Sequence, residues 1–344
     1  MALHTVSPSS DTLSAGPAAP PLPAGSPRGA GRWITYQRER FPVLGHGALI
    51  AAFSGGAVCY SAQLRLGAGH APALASVLVA FASCLLFFFQ LRVADEFKDF
   101  EEDARHRPYR PVPRGLVTLR ELGTLGAAGV AVQVALALWL APALLLPLFA
   151  VLAYMALMTA EFGVRDWLRA RPVTVLWTHM LIMPLIDLYA TATDWMAAGD
   201  GAHAASGATG GVLGAGIAWF LLTSFCNGIV VEVGRKIRAP EDEEPGVETY
   251  SALWGRERAV RVWILAMLAT AAAAAFAARA VGGAPAVLLL LGTLLVAGAW
   301  LGARLVRAPR AGMGRRLELV SGLWTLAVYL GVGVLPLLLH GGRS

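Results

Sequence analysis

The chain has 344 residues, 56% of them hydrophobic and only 15% charged. Soluble domains carry nearer a quarter of charged residues, so this balance excludes an ordinary soluble globular protein. A formal charge of +6 raises nucleic acid as a partner, and the placement of the basic residues argues against it.

Residues 1–31, MALHTVSPSSDTLSAGPAAPPLPAGSPRGAG, are a Pro, Ala, Gly and Ser tract without the apolar stretch of a signal peptide. Such a composition buries no core, so 1–31 is read as a disordered tail ahead of a single domain over 32–344. Apolar runs then recur at 43–61, 71–92, 122–141, 143–160, 173–192, 211–232, 260–280, 284–303 and 318–338. Each is long enough to cross ~30 Å of hydrocarbon as a helix. The alternation of a β-barrel is absent, and a spanning backbone must satisfy its own hydrogen bonds, so the spacing predicts an all-α membrane protein with nine spans.

Of the 28 Arg and Lys residues, all but Arg65, Arg279 and Arg343 precede span one or fall between spans two–three, four–five, six–seven and eight–nine. The positive-inside rule then predicts a multi-pass protein of the cell membrane, with a cytoplasmic N-terminus and the C-terminus on the opposite side. Basic charge set by topology in this way leaves no nucleic-acid partner to expect. Cys59, Cys84 and Cys226 fall inside apolar runs without CxxC spacing and read as small buried hydrophobes.

Span two runs directly into DEFKDFEEDARHRPYRPVPRG, residues 95–115. Asp95, Asp99 and Asp103 are spaced four apart, which on a continuing helix sets them along one side. Three carboxylates in that register repel unless cations lie between them. Hard oxygen ligands of this kind suit Mg²⁺, which bridges one or two carboxylates to a substrate phosphate. Pro108, Pro111 and Pro113 stop the helix and are expected to fold Arg110 and Arg114 back as phosphate donors. Glu96, Glu101 and Glu102 read as solvated. The competing reading, an acidic helix end balanced by its arginines, explains neither the register nor the proline-punctuated basic segment.

A second charged stretch, NGIVVEVGRKIRAPEDEEPGVETYSALWG, residues 227–255, follows span six. Glu232, Arg235 and Lys236 can share one helix face. The chain's two lysines, Lys98 and Lys236, fall one in each stretch, either as ordinary interfacial lysines or as ammonium groups beside a phosphate. Both stretches belong to the same membrane face and can converge in a helical bundle. Carboxylates for Mg²⁺ and cations for phosphate, above an apolar interior, suit a lipid-like substrate with a diphosphate head.

Within span five, LIMPLIDLYATATDW places Asp187 in hydrocarbon, where an acid faces a bundle interior or cavity. It either bonds Thr191 or a neighbouring helix, or it orients or deprotonates an acceptor and counts as catalytic. His179 lies about two turns away, while Glu161 and Asp166 are placed at the interface.

These motifs resemble the UbiA superfamily of intramembrane prenyltransferases. Its first signature, NxxxDxxxD followed by RPxP and Gly, matches Asp95, Asp99 and Asp103 and RPVPRG from Arg110 to Gly115. Asp95 stands in place of Asn and keeps a metal-binding oxygen. The second signature matches through Asp242, Gly246, Thr249 and Gly255, but Arg238 replaces the acid four residues before Asp242. That change removes a ligand and adds a phosphate donor, with Glu232, Glu241 or Glu243 as substitutes between which spacing does not choose. The resemblance covers about 33–338 and implies a nine-transmembrane-helix bundle with a central cavity opening near the cytoplasmic side. It further implies Mg²⁺-dependent transfer of a prenyl group from an isoprenyl diphosphate to a hydrophobic or aromatic acceptor within the lipid bilayer. On that basis Asp99 and Asp103 are catalytic, and Asp95, Asp99, Asp103, Asp242 and Glu232 form the metal set. Lys98, Arg110, Arg114, Lys236 and Arg238 would bind diphosphate, and Phe87, Phe88, Phe89, Trp177, Tyr189 and Trp219 could face an allylic cation. A membrane terpene cyclase without an acceptor is the alternative. A transporter or metal permease fits less well, because the acids gather at one face rather than near the midplane.

Overall fold

The computed structural model describes residues 29–198, 214–244 and 246–341. Most of the predicted tail therefore lies outside the described residues, and its last residue, Gly31, already starts a helix, α1 (Gly31–Arg40). Among the described residues nine segments are long and apolar enough to cross a membrane, one for each predicted run. In chain order they begin with α2 (Val43–Leu66), α3 (Leu74–Lys98) and α5 (Leu119–Leu140), followed by Pro142–Thr159, which ends in α6 (Leu145–Thr159). The fifth comprises α8 (Pro172–Met180) and α9 (Ile182–Trp195), and the sixth is α10 (Ala215–Arg235). Then come α12 (Arg256–Arg279), α13 (Ala284–Arg307) and Met313–His340, which contains α14 (Met313–Tyr329) and α15 (Leu335–His340). Short helices α4 (Phe100–His106), α7 (Arg165–Arg169) and α11 (Tyr250–Trp254) lie between spans. This is a multi-pass membrane protein.

Two spans are broken, each beside a proline. Pro184 has no N–H to offer the Met180 carbonyl, and the fifth span parts between Met180 and Ile182. Pro336 stands just beyond a π-helical turn, Leu330–Val334, the kind of bulge that re-seats a helix when a bond of the ladder is missing. At that bulge Gly333 meets Gly56 of α2, where a Cβ on Gly333 would lie 2.1 Å from the Gly56 carbonyl oxygen. Only glycine allows this approach. It is locked by Gln63, whose side-chain amide donates to the Gly333 carbonyl at 2.7 Å, and it seats the adjacent Tyr329 in the bundle interior. There Tyr329 packs on Phe53, with ring centroids 4.7 Å apart, and at 6.0 Å on Phe220.

The α1 helix straps the first charged loop. Tyr36 buries among Val93, Val112, Val117 and Leu122. Arg40 Nε donates to Glu96 Oε1 at 2.5 Å, and Arg32 pairs with Glu121 at the same distance. Glu96, expected to be solvated, is in fact buried, because the periodicity of α3 turns it towards a cation that lies 56 residues earlier. Glu101 and Glu102 are exposed.

Candidate functional site

The three aspartates do not ride on one unbroken helix. Helix α3 ends at Lys98, Asp99 takes φ −96° and ψ 5°, and α4 restarts at Phe100. Backbone bonds nevertheless continue at four-residue spacing, from Asp99 N–H to Asp95 O at 2.9 Å and from Asp103 N–H to Asp99 O at 2.8 Å. The predicted ladder is kept while the break changes what each rung faces. Asp95 is half exposed, 3.2 Å from Arg92. Asp103 is buried and ion-paired with Arg110, with Arg107 at 3.5 Å. Between them, Asp99 has no side-chain partner among the described residues. Burial pushes its carboxyl above the usual carboxylate range, and the neighbouring Asp95 charge pushes the same way.

That donor set fits a hard divalent cation. Asp95 and Asp99 offer oxygens one turn apart, and Asp99 is a part-buried carboxylate that no cation pairs directly, its burial outweighing the neighbouring Lys98 charge. Among the described residues no group of three acidic, His or Cys side chains is close enough to hold a metal alone. An ion here would keep waters or take substrate oxygens, which is the habit of Mg²⁺.

Cations surround this ladder. Lys98 Nζ lies 2.9 Å from Glu161 Oε1 and 3.5 Å from His179 Nε2. Glu161 and Phe162 both adopt positive φ, 48° and 54°, a backbone that costs about 1–3 kcal/mol per residue and is held by its surroundings. A cavity of about 370 Å³ opens beside Lys98, lined also by Phe97, Phe100, His106, Arg165 and Arg169. The second charged loop reaches the first at two points. Arg107 Nε is 3.8 Å from Glu244 Oε2, and Gly246 (φ +78°) packs so closely on His106 that a Cβ would lie 2.6 Å from the ring.

Several predicted residues are directed elsewhere. Arg114 donates to Glu39 at 2.9 Å and to the Tyr109 carbonyl at 2.7 Å, so the proline turn returns only Arg110 to the carboxylates. Arg238 turns to Glu318 at 3.7 Å. Asp242 accepts the Gly312 N–H with both oxygens, at 2.8 and 3.0 Å, and Glu243 accepts the Thr249 hydroxyl at 2.7 Å. Glu232 is buried and held by Arg235 at 2.5 Å and Lys236 at 3.0 Å. Lys236 also lies 5.5 Å from the Tyr250 ring centroid. The expected shared face of 232, 235 and 236 is therefore present, as an ion-pair cluster.

Deeper in the bundle Asp187 is fully buried. It bonds a neighbouring helix, accepting the Tyr329 hydroxyl at 2.7 Å, and that hydroxyl is also 3.2 Å from Ser224 Oγ. Thr191 caps its own helix at the Leu188 carbonyl instead. Phe87 meets Tyr189 edge-on at 5.3 Å, Phe88 packs on Phe53 and Phe89 on Phe41. Trp219 stacks on Phe276, whereas Trp177 is 46% exposed and faces outward. Sequence reasoning missed Arg107, which bridges the two loops, and Tyr329 and Ser224, which hold Asp187. Polar side chains within apolar spans were the available signal for the last two.

The profile of the UbiA prenyltransferase family matches residues 56–326, a stretch that contains both charged loops and seven whole spans. The chain belongs to that family. Solved structures agree in fold. A UbiA homologue from Aeropyrum pernix K1 is 19% identical, with 83% of this chain and 97% of that one covered at a TM-score of 0.58. A digeranylgeranylglyceryl phosphate synthase is 15% identical, covering 88% of this chain and 99% of its own, at 0.55. A UbiA homologue from Archaeoglobus fulgidus, solved with DMAPP and Mg²⁺, is 13% identical over 87% and 99%, at 0.53. Comparison with curated protein sequences returns no match. Identities this low establish a shared UbiA fold and leave the chemistry to this chain's own residues.

Proposed function

We propose that this UbiA-family protein ionises an isoprenyl diphosphate at the face where its two charged loops meet, and transfers the prenyl group to a hydrophobic or aromatic acceptor in the bilayer. The observation that carries this reading is the partnerless, part-buried Asp99 between Asp95 and the Asp103–Arg110 pair, with Lys98 one residue away. The archaeal relative that holds DMAPP and Mg²⁺ supports the choice of ligands. Asp95 and Asp99 would hold Mg²⁺, which when bound neutralises charge on the departing pyrophosphate. Asp103 aims Arg110 and Arg107 at the same anion, and Lys98 and Lys236 add ammonium charge from the two loops. Arg114, Arg238, Asp242 and Glu232 serve the architecture of those loops. The face carrying them is cytoplasmic by the positive-inside rule.

Purified protein in liposomes should release pyrophosphate from geranyl, farnesyl or geranylgeranyl diphosphate only when Mg²⁺ is present. Asp99→Ala and Asp103→Ala should each abolish that release, and undiminished release in both variants would sink the proposal. Running the same substrates with and without a membrane lipid extract separates transfer from cyclisation, because a cyclic hydrocarbon formed without any acceptor marks the cyclase.

A further inference from the structure

We infer that the cavity of about 370 Å³ between α4 and α7 holds the phosphodiester head of an anionic phospholipid at the membrane surface. Neither Mg²⁺ nor a prenyl diphosphate is needed for this binding, which is separate from the reaction proposed above.

The cavity opens behind the aspartate ladder. Phe97, Glu101 and Arg105 line it, and they follow Asp95, Asp99 and Asp103 by two residues, about 200° around a helix of 3.6 residues per turn. None of the three aspartates belongs to its wall. The facing wall is α7, where Arg165 and Arg169 stand one turn apart. Leu119, the first residue of α5, closes a third side. Lys98, also on the wall, ends α3, so the cavity sits where two spans leave the hydrocarbon. That is the depth of lipid head groups. Trp167 on α7 is half exposed, with the Arg171 guanidinium 4.3 Å above its ring, an aromatic and a basic residue of the kind that gather at this depth.

Charge selects the ligand. Lys98 and Arg165 share one carboxylate, Glu161, at 2.9 and 3.5 Å. Arg105 is 3.6 Å from Glu101, both side chains largely exposed. Arg169 has no ion pair among the described residues. With Glu102 also on the wall, four cations meet three carboxylates and one positive charge is left over. A phosphodiester carries one negative charge, and its oxygens match guanidinium forks. Glu101 and Glu102 repel a bare phosphate dianion but accept hydrogen bonds from the hydroxyls of a glycerol head. Phe97 and Phe100 are exposed in the same cavity and offer the first carbons of the acyl chains an apolar wall. Basic pockets at the ends of spans bind anionic lipid heads on these terms. His106 lines the cavity too, with Gly246 of the second loop packed on its ring. An occupant therefore braces α4, the helix that carries Asp103.

Binding is read as thermal stabilisation of the detergent-solubilised full chain at fixed ionic strength, without Mg²⁺ or prenyl diphosphate. The titrants are dihexanoyl phosphatidylglycerol, dihexanoyl phosphatidylcholine and glycerol 3-phosphate. A saturable shift with phosphatidylglycerol is expected, and binding at least tenfold weaker with the other two. Arg105→Gln and Arg169→Gln should each weaken phosphatidylglycerol by about fivefold, the scale of one basic residue at an anionic surface. Both side chains are exposed, so neither change threatens the fold. The paired substitution Arg315→Gln and Arg316→Gln, at exposed positions outside the cavity, should leave the affinity unchanged. An unsaturable shift or equal affinity for phosphatidylcholine overturns the inference. So does equal affinity for glycerol 3-phosphate, which marks a site for free phosphate. Wild-type affinity in both cavity variants, or the same loss in the control pair, overturns it as well.

Discussion

Lys98 and Glu161 form an ion pair of 2.9 Å that ties the C-terminal end of α3 to the strained turn after α6. The Glu161 side chain is only 10% exposed, so removing Lys98 leaves a buried carboxylate served only by Arg165 at 3.5 Å. Lys98→Met should therefore destabilise the protein by about 3 kcal/mol, the lower end for breaking a buried pair. Adding Glu161→Gln should recover most of the melting temperature but none of the pyrophosphate release. Thermal denaturation and the release assay on the single and double variants check this. Recovery of both together would make Lys98 a purely structural residue.

Asp99 gives a pH dependence with a definite sign. Its carboxyl is raised, first by burial and then by Asp95, so the folded state binds this proton more tightly than the unfolded chain does. Stability of the metal-free protein then falls as pH rises from the ordinary carboxylate range through the raised value. Mg²⁺ requires the deprotonated form, so its stabilising effect should grow over the same window. Asp95→Asn removes the second cause, and the acid limb of Mg²⁺-dependent stabilisation should move to lower pH. Thermal shift with and without Mg²⁺ across pH 4–8 reads this directly, and an unmoved limb in the variant would remove Asp95 from the pair.

Arg110 is the one arginine that the proline turn brings back to the aspartates. Its planar fork meets carboxylate or phosphate through two parallel bonds, which an ammonium cannot copy. Arg110→Lys should keep the fold and weaken prenyl diphosphate binding by about tenfold to a hundredfold, the scale of one lost charge-assisted hydrogen bond. The measurement is KM for pyrophosphate release at saturating Mg²⁺, and wild-type KM in the lysine variant would remove Arg110 from the diphosphate site.

Residue placement explains how much of this was legible in the chain. The spans could be read because twenty apolar residues in a row have few alternatives in lipid, and Asp95, Asp99 and Asp103 because their spacing is local. Pairings across the sequence could not. Glu96 has the composition of a solvated acid, and its partner Arg40 lies on another helix. Arg110 and Arg114 share the same proline-rich turn, yet the choice between Asp103 and Glu39 depends on where α1 docks. The same limit applies to Glu232, whose face was predicted while its commitment to two cations was not.

Asp187 and Asp194 lie two turns apart on α9, both buried, and only one of them meets a cation. Asp194 accepts from Arg65 at 2.9 and 3.3 Å and from Ser61 at 2.9 Å, so its charge is matched and its oxygens are used. Asp194→Asn would leave the Arg65 guanidinium, only 19% exposed, against a neutral amide, at a cost of about 3 kcal/mol. Asp187→Asn removes no ion pair, keeps an oxygen for the Tyr329 hydroxyl, and should cost about 1 kcal/mol or less. The order of melting temperatures is thus expected to be wild type, then Asp187→Asn, then Asp194→Asn well below. Activity per folded molecule should run the other way, with Asp194→Asn retaining prenyl transfer and Asp187→Asn losing it. Equal effects of the two substitutions on both measurements would mean that Asp187, too, is only a packing residue.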